Sequence, residues 1–132
     1  MLSSKTYSPV IVSLPSHIVD QPVQIIHNPG QIPDPRYLLH CDLTVVFEGS
    51  YSTFHIYGFL DKISKFRQSS KSKREVLASI IHNVPPSLSK KEMISLVKNV
   101  RGVSGSIFVT GLSVDYYASF WAGWPDFLEG MD

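Results

Sequence analysis

One cysteine, Cys41, stands in the 132 residues. An internal disulfide is therefore excluded, and stability has to come from a packed core. An excess of one charge is also missing. Twelve Lys and Arg against eleven Asp and Glu leave a net charge of +1, too little field to draw a nucleic acid or an acidic partner. No apolar run approaches the roughly 20 residues of a membrane span. Residues 8–15, SPVIVSLP, are too short and proline-bounded for a signal peptide, with Lys5 as the only upstream charge. As it stands, the chain reads as intracellular if Met1 is the true start. There is no glycine-rich phosphate loop, no Cys-x-x-Cys and no Gly-x-Ser-x-Gly elbow, so the signatures of P-loop, thioredoxin-type and α/β-hydrolase chemistry are lacking. No cofactor is expected.

What is there is a globular composition, 43% hydrophobic and 17% charged, in a length that suits one domain. Four continuous runs rich in Val, Ile and Phe (residues 23–27, 43–47, 76–81 and 106–109) read as parallel strands buried on both faces. Helical stretches lie between them. Residues 33–42 are short and weak. Residues 56–66 space Ile56, Phe59, Leu60, Ile63 and Phe66 along one helix face. Residues 88–102 carry the strongest signature, with Ser89 and Glu92 as a capping box, Leu88 and Met93 as a staple, and Gly102 as the stop. From Ser113 to Met131, Tyr117, Phe120, Trp124, Phe127 and Met131 keep helical spacing, and Pro125 either interrupts that helix or starts a second one. The order β-α-β-α-β-α-β-α predicts parallel strands with right-handed crossovers. All strand ends then fall on one carboxyl edge, where α/β proteins build their sites.

The short stretch IIHN occurs twice, at residues 25–28 and 80–83, each time closing an apolar run. His27, His82 and Glu48 would be permissible zinc ligands, but their spacing is not diagnostic and a strand-end histidine more often bonds a neighbour; no metal is expected. Glu48 follows TVVF and precedes GSY. A carboxylate at the end of a buried strand is costly unless paired or set in a cleft, so it either reaches solvent or acts as acid, base or nucleophile. The basic run at residues 62–74 holds six of the twelve Lys and Arg residues but only one aromatic, Phe66. It reads as a solvated loop, not a nucleic-acid patch.

The segments HNPGQIPDPRYL, CDLTVVFEGSYSTF, REVLASIIHNVPPSLS and GSIFVTGLSVDYYASFWAGWPDFLEGM, in this order, resemble spherulation-specific family 4, the spherulin-4-like proteins. The likeness covers residues 23–131 and leaves residues 1–20 unassigned, with 21–132 as the partial barrel domain. It implies four βα units with parallel strands, like the C-terminal half of a (β/α)8 TIM barrel. It also implies kinship with secreted or cell-surface fungal glycoside hydrolases acting on galactosamine-containing polysaccharide. By the same resemblance Glu48 corresponds to the active-site glutamate, and Asn28, Tyr51 and His82 lie at the same rim. The family's adjacent Asp-Glu pair has no counterpart in this chain. Gly111 stands where the family often has Asp, and Trp121 where a small residue is usual.

Glycoside hydrolysis needs two carboxylates. The resemblance therefore implies a truncated relative with weak or absent catalysis. A half barrel leaves sheet edges through which two copies could pair as a homodimer. Two other readings stay open. One is a non-catalytic sugar-binding or surface protein using Tyr51, Tyr116 and Trp121 as stacking platforms. The other is an unrelated open α/β module of the flavodoxin-like sort that binds a small molecule at its carboxyl edge.

Overall fold

The computed structural model describes residues 24–115 and 121–132. Within them, strands β1 (Ile26–His27), β2 (Leu43–Ser50), β3 (Leu77–His82) and β4 (Ser106–Val109) form one sheet in the order β1-β2-β3-β4. Every pairing is parallel, the fold class that the apolar runs predict. The helices are α1 (Tyr51–Ile56), α2 (Phe59–Ser70), α3 (Lys90–Arg101) and α4 (Trp124–Met131), with short 3-10 turns at Pro35–His40 and Arg74–Val76.

One hydrophobic core joins the sheet to all four helices. Val46, Phe47, Leu77, Ile81 and Val109 from the strands meet Phe54, Ile63, Phe66, Met93, Leu96, Val97, Val100 and Phe127 from the helices. In parallel strands, residues in register share a face and alternate residues change face. Leu77, Ser79 and Ile81 therefore face the helices, while Ala78, Ile80 and His82 face the other side. Helices on a single face, over strands in sequential order, belong to a barrel wall. A flavodoxin-like fold covers both faces of its sheet.

Several elements differ from the sequence expectation. The helix expected over 56–66 is two helices. The first starts at Tyr51, capped by the Ser50 hydroxyl, which accepts from the Thr53 N–H at 3.1 Å. The chain breaks at Tyr57 and Gly58, and Ile56 is left 75% exposed instead of joining the apolar face. The basic run is helical as far as Ser70, not a loop. Its hydrophobic stripe, Ile63 and Phe66, outweighs the serines. Four of its six charges are locally occupied. The Lys62 ammonium lies 4.9 Å from the Phe59 ring, Lys65 pairs with Asp61 one turn away at 3.0 Å, and Arg67 and Arg74 bond main-chain carbonyls.

The last helix begins at Trp124, with Pro125 in its first turn, where a missing N–H costs nothing. Tyr117 and Phe120, expected on the same stripe, lie outside the described residues. The capping box on α3 is as expected. Ser89 Oγ accepts from the Glu92 N–H at 3.1 Å and Glu92 Oε1 accepts from the Ser89 N–H at 2.9 Å. That bond from the Ser89 N–H holds the Glu92 carboxyl below its ordinary pKa.

At the amino edge of the sheet the helix ends are tied together by arginines. Arg67 Nη1 donates to the Gly102 carbonyl at 3.1 Å, Arg74 Nη1 to the Arg101 carbonyl at 2.7 Å, and Arg101 Nη1 to the Met131 carbonyl. These are carbonyls that a helix cannot satisfy internally. Beside them Gly105 donates its N–H to the Arg74 carbonyl at 2.6 Å. A Cβ on Gly105 would come within 2.7 Å of the Glu75 Cα, so no other residue fits.

The ladder between β2 and β3 is irregular at one point. Val45 pairs with Ala78, yet Phe47 pairs with Ser79, so Val46 is an extra residue. The bulge inverts the alternation. Phe47 joins Val46 in the helix-side core, and Glu48 comes to the face of Ala78 and Ile80.

Deleting Val46 is expected to make the ladder regular while Phe47 stays opposite Ser79 and Glu48 opposite Ile80, so that Glu48 keeps its face. Urea unfolding should then show a loss of about 2 kcal/mol or more, that of a removed core side chain, comparable with Val46→Ala. In a Glu48→Leu background the same deletion should cost the same. A clearly smaller cost in that background would show that the deletion buries Glu48 and that Val46 is not the extra residue.

Candidate functional site

Glu48 is the third residue from the end of an eight-residue strand, not its tip, because β2 continues through Gly49 and Ser50 before α1. Register puts it beside Ile80 on β3. The side chain is partly exposed, and Asn28 Nδ2 donates to its Oε1 at 2.9 Å. Asn28 follows directly on β1, which is held to β2 by the pairs Ile26–Leu43 and His27–Thr44. At the other end of β1 the Ile25 N–H donates to Asp42 Oδ2 at 2.8 Å. Asp42 is thus an amino-edge tie, distant from the carboxyl rim.

The turn after Asn28 returns the chain over the same residue. The Glu48 N–H donates to the Gly30 carbonyl at 3.3 Å. Gly30 has φ +68°, and a Cβ there would lie 3.9 Å from both Asn28 Oδ1 and the Glu48 Cβ. A left-handed residue packed against a carboxylate is a natural place for glycine.

Of the other expected site residues, His82 is brought to the same face as Glu48. It ends β3, pairs with Ser50, and its Nδ1 is bonded to Asn83 Oδ1. Asn83 adopts φ +58° and donates its N–H to the Leu112 carbonyl at 3.0 Å, so the ends of β3 and β4 are joined.

Tyr51 is taken elsewhere. Its ring lies 4.2 Å from that of His55, and it lines a cavity of about 520 Å³ between α1, α2 and α3, with Phe54, Leu60, Ser95 and Asn99 on its walls. Trp121 borders a second cavity of about 340 Å³, together with Pro85, Met93, Leu112 and Asp126. Its indole is wedged between Gly111 and Gly123. A Cβ on Gly111 would meet the ring at 3.0 Å, and Nε1 is buried without a hydrogen-bond partner among the described residues. Gly111 and Trp121 thus form one packing unit. Tyr116 lies outside the described residues.

The two IIHN copies do not repeat one geometry. His27 pairs with Thr44, which pairs with Leu77, so it faces the helices, while His82 faces the opposite side. His27 is only 5% exposed, its ring lies 5.5 Å from that of Tyr37, and desolvation holds it below the ordinary histidine pKa. Among the described residues no three His, Cys, Asp or Glu side chains gather as a metal site would need. No helix there is long and apolar enough to cross a membrane.

What this edge can do follows from its groups. A partly exposed carboxylate, oriented by an amide, can accept hydrogen bonds from hydroxyls or N–H groups, or stabilise a developing cation. Gly30 was missed in the sequence reading, although a Pro-Gly pair just after a strand is a recognisable turn signal. Asp126 and Pro85 carry no local signal for the cavity they line.

Comparison with known proteins agrees with this architecture. Residues 4–131 match the sequence profile of Spherulation-specific family 4, reaching further toward the N-terminus than the motifs do. A solved structure, Aspergillus clavatus Sph3 in complex with GalNAc, aligns with a TM-score of 0.75 and 38% identity. The alignment covers 94% of this chain and 47% of that one, so the chain spans about half the length of that relative. No curated protein matches.

Burial of His27 gives a pH test. The unfolded chain takes up a proton near the ordinary histidine pKa of 6.5, and the folded chain takes it up only at lower pH. Stability from neutral His27 is therefore complete above that value and is lost as pH falls toward the folded pKa. Urea midpoints should decline between about pH 7.5 and 5.5, and His27→Gln should remove most of that slope. A variant that keeps the full slope would assign it to another histidine.

Proposed function

The chain belongs to spherulation-specific family 4, and from that membership we propose that it binds galactosamine-type sugar at the carboxyl edge of its sheet, with Glu48 as the central acidic group. One observation carries the reading. The glutamate singled out by the family resemblance is also the carboxylate that a bulge and an asparagine bond direct away from the core. The 38% identity to a protein crystallised with GalNAc supports the sugar class.

A sugar offers hydroxyl and amide N–H donors that suit a carboxylate, and an apolar ring face that suits an aromatic side chain. His82 shares the face of Glu48 and is the second polar group proposed to meet the ligand, and Asn28 lies beside both strand ends. Tyr51 and Trp121 border separate cavities and serve the sugar only as outlying contacts. A polysaccharide partner puts the work at the cell surface or outside the cell.

Hydrolysis requires a proton donor as well as a second carboxylate or base across the scissile bond. No adjacent Asp-Glu pair occurs anywhere in the sequence. We therefore assign this chain a binding role, with turnover weak or absent unless another segment supplies the missing group. The flavodoxin-like alternative gives way to the family match and to helices packed on one face.

Titration calorimetry with GalNAc and with a galactosamine polysaccharide is expected to show binding that Glu48→Gln weakens at least about tenfold, the worth of one charge-assisted hydrogen bond. Absence of binding would overturn the sugar reading. Release of reducing ends by the wild-type chain, abolished in Glu48→Gln, would overturn the binding-only assignment.

A further inference from the structure

We propose that Asn28 is the positioning residue of Glu48, and that the turn at residues 28–30 holds this carboxylate in its ionised, proton-accepting form. The inference rests on the reading of Glu48 as the carboxylate of the sugar site and adds a direction to it. Glu48 serves as acceptor, base or cation stabiliser, and a proton for a leaving group has to come from elsewhere.

The observations are geometric. The amide nitrogen of Asn28, a group that only donates, lies 2.9 Å from Oε1. An ionised carboxylate accepts that bond more strongly than a neutral carboxyl, which could accept it only with its proton on the other oxygen, so the bond favours the ionised form. Asn28 has little freedom to turn away. Its backbone follows the two-residue ladder of β1, and Pro29 restricts it to extended geometry. Gly30 then closes on Glu48 from the main chain, its carbonyl taking the Glu48 N–H at 3.3 Å from a left-handed φ of +68° that suits glycine. Side chain and backbone of Glu48 are thus gripped by one three-residue turn. On the far side the bulge at Val46 fixes which face the carboxylate occupies.

The test is a carbon NMR titration of the full chain labelled at the glutamate carboxyls, with the Glu48 signal identified by its loss in Glu48→Gln. It needs no ligand, so its outcome is separable from that of the sugar-binding experiment. In Asn28→Ala the Glu48 midpoint is expected to rise by roughly half a unit or more, as befits loss of one bond to a charged group. In Asn28→Asp, where a second carboxylate replaces the donor, it should rise further. An unchanged midpoint in either variant would overturn the proposal. So would a fall in Asn28→Ala, since that would mean the amide oxygen faces Glu48 and favours its protonated form. A purely structural role for Asn28 would lower the urea midpoint and leave the titration in place.

Discussion

An ionised carboxylate on a strand of a covered sheet has two faces to choose from, and only one is tolerable. On the helix side of β2 it would meet Phe54, Ile63 and Leu96 in a dry core, where an unpaired charge is among the most destabilising things a fold can hold. Plain alternation from Val45 would send Glu48 there. The extra residue at Val46 reverses the parity, and the rest of the site depends on that reversal. It lets Phe47 complete the core, it puts Glu48 within reach of Asn28, and it gives the turn at Gly30 something to close upon. Bulges recur beside functional groups because they re-aim one side chain without moving the strand.

The two ends of the sheet do different work. At the carboxyl end the chain adopts left-handed backbone at Gly30 and Asn83, leaves polar groups at strand ends and borders cavities. At the amino end it is closed by main-chain bonds, by Asp42 and by three arginines. That division is familiar in barrel walls, where conserved features at one face serve chemistry and at the other serve stability.

Much of this was legible in the sequence, and the reasons differ by element. β3, β4 and α3 announce themselves because short apolar runs bounded by polar residues mark the strands and because a capping box is a local, short-range device. Glu48 stood out since a charge after TVVF contradicts its neighbours. The break at Gly58 was hidden by apolar spacing that carries on through Tyr57, and the helicity of residues 62–70 was hidden by serines whose hydroxyls bond back to the Phe66 carbonyl. The bulge was not legible at all. Whether Val46 is in the ladder or outside it depends on β3, thirty residues away, and nothing local records that relation. For the same reason two identical tetrapeptides, IIHN, carry histidines that face opposite ways. Identity of letters fixes conformation only when partners are in equal register. Tyr51 and Trp121 show a further limit. Tyr51 was expected at the rim and both as stacking platforms for a sugar, yet each borders a separate cavity.

The arginine ties at the amino end have a further property. Each has a side chain on one side and a peptide oxygen on the other: Gly102, Arg101 and Met131 offer carbonyls, not functional groups. A peptide oxygen survives every substitution except one that breaks the helix. Half of each contact is therefore immune to mutation. Outside core positions such as Val100 and Gly130, the last turns of α3 and α4 are free to drift in sequence so long as three guanidinium groups remain, which makes this end of the molecule robust where an array of side-chain pairs would need matched changes on both partners.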